Sequence, residues 1–205
     1  MPRRARQVVA GIPLHIIQRG HNRQVCFFAD ADYRFYLRQL KEQAKIHGCS
    51  VHAYVLMTNH LHMLITPNEK DSVSALMKHV NQRYVRHVNR IYERTGTLWE
   101  GRYRSCLTLS DSYALACYRY IELNPVRAKM VDHPTHYRWS SYSANAEGWY
   151  SSIVSPHSIY LALGTNGAQR RQQYRALVQS GLDENTINRI RHATNSNLIL
   201  ADSDK

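Results

Sequence analysis

Two histidines stand two residues apart in the chain, and their spacing is suited to metal chemistry. His60 and His62 lie within the apolar run Met57–Ile65, and a second strand-forming run, Val51–Leu56, precedes it. The short polar pair Thr58-Asn59 interrupts the apolar residues just before His60. The pattern therefore predicts two strands joined by a tight turn. Alternate side chains of a strand share a face, so both imidazoles point the same way, with Cα atoms ~6.5 Å apart. Such a pair can bind one divalent cation; the alternative is two histidines beside a core, hydrogen-bonded to backbone or water.

A tyrosine and an asparagine further along the chain form a second candidate group. A helix is predicted to begin at Ser110 or Asp111 and to end or bend at Asn124, because the proline that follows disfavours helical geometry at the residue before it. Tyr120 and Asn124 are four residues apart, so they share one side of this helix if its last turn holds. Tyr113 lies on approximately the same face as Tyr120, and a helical tyrosine is more often a core residue, so spacing alone leaves the assignment open.

The remaining histidines and cysteines indicate no further site. None of the four cysteines belongs to a Cys-x-x-Cys pair, which argues against a zinc knuckle or a disulfide framework and favours a reducing cytoplasm. The histidines without a comparable sequence context are interpreted as structural or surface groups: His15, His21, His52 and His79. No apolar run is long enough to span a membrane, and the first residues lack the apolar segment of a signal peptide.

The chain is strongly basic, with a formal net charge of +12. Almost all of the excess lies within residues 1–145, which contain the two candidate groups. A charge of this size favours a polyanion partner, nucleic acid first, whereas the alternative of a solubilising surface usually mixes the two signs more evenly. Eight arginines are candidate contacts to phosphates and bases: Arg3, Arg4, Arg6, Arg19, Arg23, Arg83, Arg102 and Arg104.

The surrounding patterns predict an α+β fold, with a central antiparallel sheet and helices packed mainly on one face. The predicted elements are strands at residues 8–18 and 97–109, the histidine hairpin, and helices at residues 30–45, 71–94, 168–180 and 184–192. The composition changes after Tyr142. Residues 1–145 are therefore predicted to form the main domain, and residues 146–205 a small helical extension with a disordered tail beginning at Thr194.

Three segments together resemble a known family. Met57–Ile65, Leu98–Ser105 and Arg119–Arg127 are similar, in this order, to the three signatures of the single-tyrosine HUH transposases. The resemblance is closest to the bacterial REP-associated tyrosine transposases and spans roughly residues 5–145. Any one signature would be weak alone, but their combination is specific. The resemblance implies the sheet of the HUH endonucleases, which is similar to those of ferredoxin and RNA-recognition domains.

The resemblance also implies a reaction and the roles of four residues. His60 and His62 would be paired ligands of Mg²⁺ or Mn²⁺, Asn124 a third ligand and Tyr120 the nucleophile. The implied enzyme nicks single-stranded or hairpin DNA, leaves a 5′-phosphotyrosine and a free 3′-hydroxyl, and rejoins strands. A divalent ion on these ligands would keep open positions and could polarise the scissile phosphate as a Lewis acid.

Several properties stay open from the sequence. Members of such a family act as homodimers that exchange the tyrosine helix or as monomers, in the cytoplasm and at the nucleoid of a bacterium. A non-catalytic module that binds a DNA or RNA hairpin is the alternative function. A structural zinc protein is a weaker alternative, because a closed zinc site requires four ligands.

Overall fold

The computed structural model describes residues 6–201, and within this range five strands form one sheet. Arg3, Arg4 and residues 202–205 of the predicted tail lie outside the described residues. The strands are β1 (Leu14–Arg19), β2 (Cys49–Leu56), β3 (His60–Pro67), β4 (Arg104–Thr108) and β5 (Ile199–Leu200). The helices are α1 (Asp30–Ile46), α2 (Ser72–Ile91), α3 (Asp111–Glu122), α4 (Asn124–Arg127), α5 (Tyr142–Glu147), α6 (Ser158–Leu161), α7 (Gly167–Gln179) and α8 (Glu184–Ser196). No helix in this range combines the length and apolar character that a membrane crossing requires.

The strands lie in the order β2-β3-β1-β4-β5 across the sheet. The pairs β2–β3, β1–β3 and β1–β4 are antiparallel, as expected for the hairpin and its neighbours. The short strand β5 pairs parallel with β4, which makes the sheet mixed. The predicted α+β class is confirmed.

Side chains of β3 alternate between two hydrophobic cores. Leu61 and Met63 pack in one core with α1 and α2, whereas Leu64 packs in the other with α3 and α8. His60 and His62 share the parity of Leu64, so both face the second core. Helices therefore cover both faces of the sheet rather than mainly one. The reason is that α3 and the C-terminal helices carry apolar faces of their own, which the second face of the sheet buries.

The C-terminal segment packs into the same second core as α3. Tyr174 is fully buried there, and Leu200 is 3% exposed. The predicted boundary between residues 145 and 146 falls inside α5. Residues 194–201 complete α8 and form β5 instead of a frayed tail, because the Leu200 carbonyl accepts a hydrogen bond from Leu109 N (2.9 Å) and pairs this segment with the sheet.

Two strands are shorter than the sequence predicted. β1 begins only at Leu14, because Pro13 has no N–H for the ladder and Gly11 turns the chain with a φ of 78°. The strand predicted over residues 97–109 is reduced to β4, because the interruption at Gly101 ends the regular pairing. The predicted helices at residues 30–45 and 71–94 correspond to α1 and α2.

Candidate active site

The two histidines of β3 lie side by side on the sheet face that α3 covers. Their ring centroids are 5.1 Å apart, and the ring planes are nearly perpendicular at 88°. The antiparallel register with β1 places Arg19 opposite His60 and Ile17 opposite His62. The hairpin thus holds two imidazoles on adjoining positions, with a basic residue on the neighbouring strand.

His60 is held by an asparagine of its own turn. Its Nδ1 lies 2.6 Å from Asn59 Oδ1, and Asn59 Nδ2 donates to the Arg23 carbonyl at 3.1 Å. The second bond fixes the orientation of the amide, so the atom that faces the imidazole is an oxygen. An amide oxygen can only accept, so His60 donates from Nδ1. In the neutral ring, Nε2 then keeps its lone pair.

His62 is held by a third histidine that the sequence analysis interpreted as structural or as a surface group. His15 Nε2 lies 2.9 Å from His62 Nδ1, and the two rings stack at 5.0 Å with an angle of 18°. His15 Nδ1 in turn lies 2.9 Å from Thr194 Oγ1 of α8. His15 shares a face of β1 with Ile17 and Arg19. These two residues are the register partners of His62 and His60, so His15 points to the same side of the sheet as the pair.

The three imidazoles are neutral near pH 7 because they are buried. Burial, reinforced by the Arg19 guanidinium, lowers the pKa of His60 to about 4. Burial also lowers the pKa of His15 to about 3, and burial followed by the neighbouring histidines and arginines lowers the pKa of His62 well below its usual value. A metal ligand must be a neutral imidazole, so this protonation state suits the predicted role.

Tyr120 lies beside His62 and His15 in the same chain. Its ring centroid is 5.5 Å from that of His62 at 86°, and 5.5 Å from that of His15 at 71°. Helix α3 carries it there: Ser110 Oγ caps the first turn by accepting from Tyr113 N at 3.2 Å, and the helix ends at Glu122. The side chain is only 5% exposed.

The other tyrosines of α3 have different surroundings. The ring of Tyr113 faces the Arg189 guanidinium at 4.8 Å. Tyr118 is fully buried among Tyr160 and Tyr174, at centroid distances of 6.2 and 6.0 Å. Tyr120 is therefore the tyrosine of α3 that stacks edge-on against His62 and His15.

Asn124 is the third of the predicted metal ligands. It begins α4, makes a side-chain hydrogen bond with His60 that favours the charged ring, and leaves its buried Nδ2 unpaired among the described atoms. A bond that favours the imidazolium places the amide oxygen toward the imidazole. When His60 is neutral, both this oxygen and the free imidazole nitrogen are acceptors, and either could serve as a ligand of a cation. The donor set of two imidazoles and one amide oxygen therefore fits a divalent ion.

Carboxylates and thiols do not add to this donor set. Across residues 6–201, no group of three or more histidine, cysteine, aspartate or glutamate side chains is arranged to hold a metal. A cation at this position would therefore carry its full charge toward the substrate, because none of these neutral ligands offsets it.

Arg127 contacts the predicted nucleophile and was not singled out from the sequence. Its guanidinium carbon lies 4.2 Å from the centre of the Tyr120 ring, and its Nη2 donates to the Tyr120 carbonyl at 2.6 Å. Its Nη1 is buried and has no partner within the described part of the chain. The sequence contained one signal for this residue, because Arg127 lies three positions after Asn124 and seven after Tyr120.

Four of the predicted DNA-binding arginines line one cavity of about 260 Å³. The cavity lies between β1, the loop before β4 and the end of α8. Its arginines are Arg6, Arg19, Arg102 and Arg104, and Tyr103, Asn195 and Asn197 also line it. Since Arg19 is the register partner of His60, the cavity adjoins the histidine pair.

The other two described candidates lie elsewhere. Arg23 is exposed in the turn after β1, where its carbonyl supports Asn59. Arg83 lies on α2 in a separate basic cavity and donates to Gln39 at 3.0 Å. Because α1 and α2 cover the first face of the sheet, Arg83 is on the opposite side from the histidines.

The comparison with known families agrees with these motifs. A family model described as "Transposase IS200 like" matches residues 8–124, a range that includes the histidine pair, Tyr120 and Asn124. The chain belongs to the IS200-like transposase family. The resemblance inferred from the three motifs is confirmed, and the transposase is thereby assigned to the proteins of DNA transposition.

The fold of this transposase has a counterpart among solved structures. A REP-associated tyrosine transposase bound to a REP hairpin aligns with a TM-score of 0.63 and 16% sequence identity, over 77% of this chain and 93% of that chain. A candidate transposase from Deinococcus radiodurans aligns with a TM-score of 0.40 and 21% identity, over 63% of this chain and 92% of that chain. No curated protein matches the transposase.

Proposed function

We propose that this transposase nicks and rejoins single-stranded DNA beside a hairpin, with Tyr120 as the nucleophile. The observation that carries the proposal is the edge-on contact of Tyr120 with His62 at 5.5 Å within one chain. A tyrosine with only a packing role does not require two neutral histidines beside it. The same contact favours a site assembled in one protomer, which is compatible with a monomer.

His60, His62 and Asn124 would hold the divalent ion, Mg²⁺ or Mn²⁺, and when bound it would supply Lewis-acid polarisation of the scissile phosphate. The chain contributes the rest of the proposed chemistry. The Tyr120 hydroxyl gives its proton to water as its oxygen bonds to phosphorus. The bond from phosphorus to the 3′ oxygen breaks, and that oxygen takes up a proton to become the free 3′-hydroxyl. The phosphotyrosine conserves the phosphoester, so a second 3′-hydroxyl can reverse the step and rejoin strands.

Arg127 would neutralise charge at the reacting phosphate. Its Nη1 is free to donate while its Nη2 is held by the Tyr120 carbonyl, so the guanidinium is oriented before DNA binds. A donor that is already in place needs no reorganisation during the reaction, which is the main source of electrostatic catalysis.

The basic cavity is the proposed path of the single strand. Arg6, Arg19, Arg102 and Arg104 would contact successive phosphates next to the histidine pair. The structurally similar REP-associated transposase is bound to a REP hairpin, which supports a hairpin as the neighbouring element of the substrate. We also propose a cytoplasmic location at the nucleoid of a bacterium. In the proposed division, residues 1–145 carry the catalytic groups and residues 146–205 support them.

A labelled hairpin oligonucleotide with single-stranded flanks tests the nucleophile. With Mn²⁺ or Mg²⁺ the wild type should form a covalent adduct that survives denaturing electrophoresis. Tyr120→Phe should form none, because it lacks the attacking oxygen, whereas the matched variant Tyr113→Phe should keep the adduct. An adduct of normal yield in Tyr120→Phe would contradict the assignment.

The burial of Tyr120 favours a second candidate function, a non-catalytic hairpin-binding module. A phenol that is 5% exposed must be uncovered before a phosphate can reach it. Tight, salt-sensitive hairpin binding without any adduct, across a range of flanking sequences and metals, would favour this function.

A further inference from the structure

We infer that the C-terminal helix α8 belongs to the metal site, because Thr194 sets the tautomer of His62 through His15. The inference rests on the proposed function of His62 as a ligand. It gives a role to the C-terminal segment that neither the family match, which ends at residue 124, nor the sequence motifs supply. Thr194 and His15 would act as positioning residues, since neither touches the reacting atoms.

The chain of hydrogen bonds has a defined starting point inside α8. Thr194 Oγ1 donates its only proton to the Ile190 carbonyl at 2.7 Å, as a helical threonine does to the residue four positions earlier. The oxygen can then only accept from its remaining neighbours. These are His15 Nδ1 at 2.9 Å and the Cys106 thiol at 3.2 Å.

The direction of the remaining bonds follows from this start. His15 must donate from Nδ1 to Thr194, so its Nε2 carries a lone pair and accepts from His62 Nδ1 at 2.9 Å. His62 thus carries its proton on Nδ1, and its Nε2 is free to bind a metal. If the chain ran the other way, Nε2 would carry the proton and His62 could not serve as a ligand at that atom.

Because the side chains are buried, the hydrogen bonds among Thr194, His15 and His62 decide the tautomer of His62. His15, His62 and Thr194 are 1%, 3% and 3% exposed, so bulk water has little access with which to replace any bond of the chain. His60 has the same tautomer, with its proton on Nδ1, because it donates to the fixed amide oxygen of Asn59. Nε2 of each proposed ligand is thereby left unprotonated. The hairpin residue Asn59 fixes this state in His60, and the C-terminal helix α8 fixes it in His62.

Thr194→Val removes the hydroxyl while keeping a side chain of nearly the same shape. The buried N–H of His15 then lacks an acceptor, and the pair should reverse so that His15 donates from Nε2. Long-range ¹H–¹⁵N NMR of the imidazoles in the metal-free protein measures this directly. We expect the Nδ1–H tautomer of His62 in the wild type and in Thr194→Ser, and a shift toward Nε2–H in Thr194→Val.

The buried threonine of β4, Thr108, offers a matched control. Thr108→Val makes the same chemical change at a residue that is 3% exposed and whose hydroxyl lies 4.0 Å from the Cys117 thiol, so the His62 tautomer should stay unchanged. Titration with Mn²⁺ alone, followed by electron paramagnetic resonance, supplies the second readout. Thr194→Val should lose about tenfold to a hundredfold in Mn²⁺ affinity, with Thr194→Ser and Thr108→Val close to the wild type.

The two readouts separate the inference from the function on which it rests. An Nε2–H tautomer of His62 in the wild type, or an unchanged tautomer in Thr194→Val, would overturn the inference whether or not metal binds. A wild type that shows the expected tautomers but binds no Mn²⁺ would contradict the metal site of the proposed function, while the tautomer role of Thr194 would stand.

Discussion

The ring of Tyr120 meets the ring of His62 edge-on within one chain, at a centroid distance of 5.5 Å and an angle of 86°. Helix α3 packs on β2 and β3, so Tyr120 belongs to the hydrophobic core on the sheet face to which His60 and His62 point. An exchange of α3 between protomers would require that this core be opened.

Mixing two inactive variants tests whether the site is assembled within one protomer. Tyr120→Phe and His62→Ala should each be inactive in adduct formation, and their mixture should remain inactive, because no protomer then holds a complete site. Restored adduct formation in the mixture, with labelled subunits confirming exchange, would show that Tyr120 serves a partner's histidines.

Replacing Arg127 should reduce the rate of DNA cleavage far more than DNA binding. Arg127→Gln should lower the single-turnover rate by about a hundredfold, because one oriented donor to the reacting phosphate is lost. Arg34→Gln is the matched control: this arginine is exposed on α1 and pairs with Asp30. Equal rates for the two variants would assign Arg127 a purely structural role.

Glu122 should make stability fall as the pH rises. This carboxyl is fully buried. Burial raises its pKa to about 7, although the hydrogen bonds from Ser141, Tyr174 and Asn145 lower the pKa in part. Between pH 4.5 and 7 the folded state then holds a proton that the unfolded state releases, so the unfolding free energy falls with pH. The total loss is on the order of 3 kcal/mol, from about 1.4 kcal/mol for each pKa unit.

Urea unfolding of the wild type and of Glu122→Gln at several pH values measures this loss. The buried histidines oppose it, because their lowered pKa values make the protein less stable as the pH falls below 6.5. The difference between the two proteins removes this contribution. That difference should change by a few kcal/mol between pH 4.5 and 7, and a constant difference would contradict the raised pKa of Glu122.

The two basic cavities should differ in their effect on DNA. Arg102→Gln, in the cavity next to the histidines, should weaken binding of a single strand and reduce the slope of log affinity against log salt by about 0.7, as expected for one lost phosphate contact. Arg83→Gln should leave both quantities near the wild type, because Arg83 lies on the opposite side of the sheet and already pairs with Gln39 and Glu42. Fluorescence anisotropy over a range of salt concentrations measures both quantities, and a larger effect at Arg83 would place the DNA strand on the face covered by α1 and α2.

Local patterns in the sequence were sufficient to predict the strand that carries the two histidines. Strand alternation placed His60 and His62 on one face, because it depends only on residues two positions apart. Helical spacing predicted one helix from Tyr120 to Asn124, whereas α3 ends at Glu122 and α4 begins at Asn124. The motifs also predicted the family. The same local reasoning overestimated the length of two strands, where backbone turns at glycines end the pairing.

Tertiary structure alone decided which distant groups contact the candidate site residues. His15 comes from β1, Thr194 from α8, and Arg127 reaches back over the ring of Tyr120 from α4. Their roles depend on hydrogen-bond directions and burial across up to 179 positions of sequence. No local period encodes such contacts. Periodicity shows which face a residue occupies, whereas the partners on that face are chosen by the packing of both cores against the sheet.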